Sequence, residues 1–110
     1  MIVRLKRKSA RYSELTFGKD YYVIGLDDKY FRLIDDEGEP ILFPRPLFNV
    51  VEDTIPEDWI WDRYDDAYYA DPPGLNVRGF YDRYFDHKQE AIDEFQAYLR
   101  SVGLAKKDEE

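Results

Sequence analysis

Cysteine is absent from this 110-residue chain. Its absence excludes disulfides, thiolate metal sites and a cysteine nucleophile, and it fits a reducing compartment. Histidine occurs once, as His87. One imidazole cannot supply two metal ligands, and no serine or threonine stands beside it as a partner nucleophile. There is no glycine-rich phosphate loop. No stretch approaches the ~20 apolar residues of a membrane-crossing helix. The basic N-terminal residues lack the apolar run of a secretory signal. These absences lead to the expectation of a soluble, cytoplasmic protein that is not an enzyme, has no catalytic residue, and takes no cofactor and no metal.

What is present is an unequal distribution of charge and a surplus of aromatics. Residues 1–19 hold six basic side chains (Arg4, Lys6, Arg7, Lys8, Arg11, Lys19) against Glu14 alone. Residues 20–110 hold ten basic against twenty-three acidic side chains, and the whole chain carries a net charge of −8. That balance favours solubility and disfavours non-specific nucleic-acid binding. The charged fraction of 36% would suit a disordered chain, but an aromatic content of 17% argues for a packed one. The length suits a single domain, residues 1–110.

Short apolar runs separated by turn residues predict strands over Met1–Leu5, Tyr21–Leu26, Tyr30–Ile34, Ile41–Phe43 and Leu47–Val51. Gly38, free to take a positive φ, marks a hairpin turn within Asp35–Pro40. Pro44 and Pro46 interrupt the ladder, because proline has no N–H to donate. Residues 53–85 read as an irregular acidic aromatic segment, with a short helix around Pro56–Asp66 and a stiff turn at Asp71-Pro72-Pro73-Gly74. A helix is predicted over 86–103. Asp86 and Gln89 have capping-box spacing, and Ile92, Phe95, Leu99 and Val102 form the apolar stripe. Gly103 would stop this helix, and residues 104–110, ending in the charged run Lys106–Glu110, would fray.

The run Gly18-Lys19-Asp20-Tyr21-Tyr22-Val23-Ile24-Gly25, the hairpin Tyr30-Phe31-Arg32-Leu33-Ile34-Asp35-Asp36-Glu37-Gly38-Glu39-Pro40, the Phe43-Pro44 corner and the closing Leu47-Phe48 carry a resemblance. They resemble small bacterial SH3-like barrel proteins, several of which act as immunity proteins against secreted toxins. The resemblance spans roughly residues 15–52. It implies a mainly β fold, an SH3-like antiparallel barrel over 1–52, followed by the aromatic segment and the C-terminal helix. It carries no catalytic signature.

Three carboxylate pairs, Asp27-Asp28, Asp35-Asp36 and Asp65-Asp66, could serve as acid/base groups or cation ligands, or simply as solvated turn formers. His87 reads as a surface or capping residue beside a helix N-terminus. The basic stretch Arg4–Arg11 could contact nucleic acid, protect an edge strand, or pair internally with the acidic remainder. The densest mixture of acids and aromatics offers Asp58, Trp59, Asp62, Tyr64, Asp65, Asp66, Tyr68 and Tyr69 as a partner-binding surface. Tryptophan and tyrosine make rigid interface contacts, and carboxylates steer a basic partner. Trp59 and Trp61 could also divide between core and surface. The leading expectation is an immunity protein that masks a cationic toxin, with a nuclease the natural candidate because its substrate site is basic. Nucleic acid and membrane are not the expected partners, and exposed aromatics leave self-association open. The alternative is a peptide- or nucleic-acid-binding module using Arg4–Arg11 with Tyr21 and Tyr30.

Overall fold

The structure, a computed structural model, describes residues 1–104, and of Tyr64 the backbone only. The expected fraying of Lys106–Glu110 lies outside these residues. Strands are β1 (Ile2–Leu5), β2 (Tyr21–Asp27), β3 (Tyr30–Ile34), β4 (Pro40–Pro44), β5 (Phe48–Glu52), β6 (Ile60–Tyr64) and β7 (Ala67–Asp71). Helices are α1 (Phe80–Phe85) and α2 (Gln89–Ser101), with single 3-10 turns at Arg45–Leu47 and Pro73–Leu75. The fold is thus mainly antiparallel β with a C-terminal helix. No helix among the described residues is long and apolar enough to cross a membrane.

The chain groups into two compact units, Met1–Pro72 and the part from Pro73 onward. The division falls within the proline-rich turn that follows β7 rather than near residues 52 or 85.

In the first unit the strand order is β4-β3-β2-β1-β5, all neighbours antiparallel. The hairpin β6–β7 joins through β7 to the far end of β2, at Leu26↔Ala70 and Asp27↔Tyr69. The sheet is open rather than a closed barrel: among the described residues β4 and β5 do not pair. The chemistry of β4 accounts for this. It begins and ends in proline, and the 3-10 turn Arg45–Leu47 separates it from β5.

One face of the sheet forms the core. Val3, Tyr21, Val23, Leu26, Phe31, Leu33, Phe43 and Phe48 are buried there with Trp59 and Ala70. The Phe43 ring meets Phe48 nearly edge-on at 6.5 Å between centroids, and Phe31 lies 6.0 Å from Phe48. The β3–β4 turn is closed by Asp35, whose Oδ1 accepts the N–H groups of Glu37 and Glu39, both at 2.9 Å. The hairpin expected around Gly38 is therefore present.

Residues 53–85 are not irregular, and no helix covers Pro56–Asp66. Ile60-Trp61-Asp62-Arg63-Tyr64 and Ala67-Tyr68-Tyr69-Ala70-Asp71 are rich in strand-forming aromatics and pair as a hairpin. Their two-residue turn, Asp65-Asp66, places Asp65 at φ 55°. Aspartate tolerates that left-handed geometry better than most residues. Gly25 sits where this hairpin reaches β2. A Cβ there would lie 2.6 Å from Asp71 Oδ1, so only glycine lets the carboxylate approach so closely.

The second unit is built on aromatics. Phe80 and Phe95 are fully buried, and Tyr84 meets Phe95 at 5.0 Å. Ala91, Phe95 and Leu99 bury one face of α2, while Val102 lies beyond the helix and is exposed. Gly103, at φ 77°, ends α2 as expected: its N–H reaches Arg100 O, and the N–H of Leu104 reaches Leu99 O at 2.8 Å. The capping box does not form. Lys88 is the N-cap, and Gln89 turns its amide to Asp93 instead. The reason lies in α1, which ends at Asp86 and His87. The N–H groups of His87 and Lys88 satisfy the Tyr84 and Arg83 carbonyls, with His87 at φ 61°.

Candidate protein-binding site

The hairpin β6–β7 collects most of the residues expected to bind a partner. Residues paired across an antiparallel ladder share a face. Ile60, Asp62, Tyr69 and Asp71 therefore lie on one face, and Trp61, Arg63, Tyr68 and Ala70 on the other. The second face roots the hairpin. Ala70 is fully buried, and Tyr68 packs against the core.

Arg45 secures this root. Its Nη1 donates to Tyr68 Oη at 3.1 Å and to the Asp27 carbonyl at 2.8 Å, while the guanidinium lies 4.8 Å from the Phe31 ring centre. Trp61 lies across the strand from this support, its ring 5.9 Å from that of Tyr68 and tilted by 35°. Yet the side chain remains 53% exposed. A large ring held from behind and open in front is a preorganised contact surface.

On the first face Asp62 stands opposite Tyr69, which is exposed, and Tyr69 stands opposite Asp27 on its other side. Asp65 and Asp66 form the exposed tip. Asp58 is exposed in the turn that leads into β6, closed by the Trp59 N–H on the Pro56 carbonyl. The Tyr64 backbone pairs with Ala67, and its side chain lies outside the described residues. Trp59 departs from the group: at 5% exposure it belongs to the core and cannot offer its ring to a partner. The pair of tryptophans thus divides between core and surface because the strand begins at Ile60, between them.

Sequence reasoning passed over Trp61 and Ile60 as site residues, although both are exposed on β6. Strand alternation across Ile60–Tyr64 was the signal available.

The other carboxylate pairs have structural duties. Asp27 Oδ1 accepts the N–H groups of Lys29 and Tyr30, closing the β2–β3 turn. Asp36 accepts hydrogen bonds from Thr16 Oγ1 at 2.5 Å, Lys19 Nζ at 2.8 Å and Tyr21 Oη at 2.8 Å. Burial opposes the charge of Asp36, but these bonds and the lysine's charge hold its carboxyl below the ordinary aspartate range. Among the described residues no group of three histidine, aspartate or glutamate side chains is placed to hold a metal ion. His87 is exposed in the turn between α1 and α2, at the end of one helix and, as expected, beside the N-terminus of the next, whose N-cap is Lys88.

Of the basic stretch, Arg4 lies in β1 and binds Asp20 at 2.7 Å. Lys6, Arg7, Lys8 and Arg11 are exposed. Tyr21, expected with them as a binding aromatic, is buried at 3% exposure with its hydroxyl committed to Asp36, whereas Tyr30 is exposed. Comparison with family models, with curated proteins and with solved structures found no match to this chain.

Proposed function

We propose that this protein is a non-enzymatic inhibitor of the immunity type, acting in the cytoplasm by binding and masking a cationic toxin. The observation that carries the reading is the β6–β7 hairpin, which presents an exposed Trp61 supported from behind on one face, Asp62 and Tyr69 on the other, and Asp65 and Asp66 at its tip. Over Glu57–Asp71 only Arg63 offsets the acids. A basic enzyme surface, such as the substrate cleft of a nuclease, is the complement of such an array. The scaffold fits the same reading. A β1–β5 meander in which the first strand also pairs with the last has the strand order of an SH3-like barrel, here left open between β4 and β5.

The test begins with capture of a basic partner from the source cells and release by salt. Co-expression should then suppress that partner's toxicity. Replacing Asp62, Asp65 and Asp66 together by asparagine should slow association at least about ten-fold and flatten its salt dependence. Unchanged association by this variant, or a partner whose toxicity persists in the complex, overturns the proposal.

A further inference from the structure

The basic loop between β1 and β2 is organised in an unusual way. Its flanking cations are neutralised: Arg4 by Asp20 at 2.7 Å and Lys19 by Asp36 at 2.8 Å. Its interior cations Lys6, Arg7, Lys8 and Arg11 are exposed and, among the described residues, make no ion pair, in a chain with 24 acids. Nor is the loop loose. The Lys6 N–H bonds to Leu47 O, Tyr12 packs edge-on against Phe43 at 6.0 Å, and the Asp36 N–H bonds to Glu14 O. Arg11 lies 5.6 Å from the centre of the Tyr12 ring.

Holding four like charges together in a fixed loop is unfavourable unless an anion meets them. The acids of the hairpin do not. The loop leaves at the Tyr21 end of β2, where β1 pairs, and the hairpin joins at Leu26 and Asp27. With a screening length of about 8 Å at physiological salt, charges at the two ends of a strand act nearly independently. The same loop carries Phe17, 49% exposed at the corner of a turn closed by the Lys19 N–H on Thr16 O. A cationic track accompanied by an open aromatic ring is the chemistry that holds an unpaired strand, with phosphates on the cations and a base on the ring. No helix or two-stranded ribbon in this loop would enter a duplex groove.

We propose that the loop Lys6–Phe17 is a binding surface for single-stranded nucleic acid, distinct from the hairpin and opposite to it in charge. The net charge of −8 hides this surface because it averages over two separated regions. Four phosphate contacts predict a logarithmic salt slope of about −3, hence about fifty-fold weaker binding when salt rises four-fold.

The experiment is fluorescence anisotropy of the full chain with labelled single-stranded DNA and RNA of about twelve nucleotides, across about 20 to 150 mM salt. The expected result is saturable binding with that slope. Combined Lys6→Gln, Arg7→Gln, Lys8→Gln and Arg11→Gln should weaken it at least about thirty-fold, and Phe17→Ala about five-fold. The Asp62, Asp65 and Asp66 to asparagine variant should bind as well as wild type or better, so failure of the hairpin reading and failure of this one are separable. No anisotropy change at the lowest salt overturns the proposal. So does equal binding by the four-residue variant, or tighter binding to phosphatidylserine vesicles or to polyglutamate than to either nucleic acid.

Discussion

The β6–β7 hairpin and the β1–β2 loop are both exposed, charged and held in place, but with different contributions from packing and polar bonds. The hairpin is held by packing: Trp59 and Ala70 are in the core, and Tyr68 leans on it under Arg45. None of its tip carboxylates is needed for that. The loop is held by both means: Leu15 and Tyr12 pack on the core, and polar bonds tie Arg4 to Asp20 and Thr16 and Lys19 to Asp36. Its flanking cations are thereby occupied, and among the described residues only the interior ones of the loop face solvent without a counter-ion. The lesson is that a charge engaged in positioning a segment is not free to recruit a partner. The groups proposed to recruit partners lie where packing or other charges already do the positioning.

The sharpest way to test this contrast is at the root of the hairpin. Trp59→Ala should destabilise the protein by about 3–5 kcal/mol, since it empties a fully packed ring site. Trp61→Ala, two residues on, should cost about 1 kcal/mol, from its contact with Tyr68. Urea unfolding followed by circular dichroism measures both. Equal losses would mean that Trp61 is as structural as Trp59, and the hairpin would lose its claim to a free aromatic.

Next in size is the polar anchor of the loop. Asp36→Ala removes the acceptor of three hydrogen bonds and should cost about 1–3 kcal/mol at neutral pH. The effect has a defined pH dependence. The folded carboxyl is held below the ordinary aspartate value, so the unfolded state takes up a proton first. Its contribution is complete above the unfolded pKa, about 3.9, and disappears as pH falls through the lower folded value. The stability gap between wild type and Asp36→Ala should therefore narrow below about pH 4. A gap constant from pH 7 to the acid limit would show that the charge of Asp36 does not hold the loop.

Much of this was legible in the chain, and the rest was hidden for identifiable reasons. Strands β2, β3 and β4 followed from Tyr21–Leu26, Tyr30–Ile34 and Ile41–Phe43, because alternation and the Gly38 turn agreed. The stop at Gly103 followed from its place after the last apolar residues. The β6–β7 hairpin was masked because its turn is Asp65-Asp66, without the glycine or asparagine that usually marks a two-residue connection. Prolines on both sides also suggested a loop. The composition of the candidate surface was visible, but its geometry was not, since only the ladder register brings Asp62 beside Tyr69. The Asp36 anchor could not be read at all: its partners lie 15 to 20 residues away in sequence, and local patterns carry no information at that range.

The smallest expected effects test whether the two surfaces are as detached from folding as their contacts suggest. Asparagine at Asp62, Asp65 and Asp66 brings the net charge closer to zero, and glutamine at Lys6, Arg7, Lys8 and Arg11 takes it further away. Neither set removes a hydrogen bond or an ion pair seen among the described residues. Each should therefore shift unfolding free energy by no more than about 0.5 kcal/mol, upward in both, because each removes like charges held close together without an ion pair among the described residues. Both shifts should vanish at about 1 M salt, where the screening length falls to about 3 Å. A larger loss that survives high salt in either variant would mean that its charges help hold the segment in place, and the separation between positioning and recruiting groups would fail for that region.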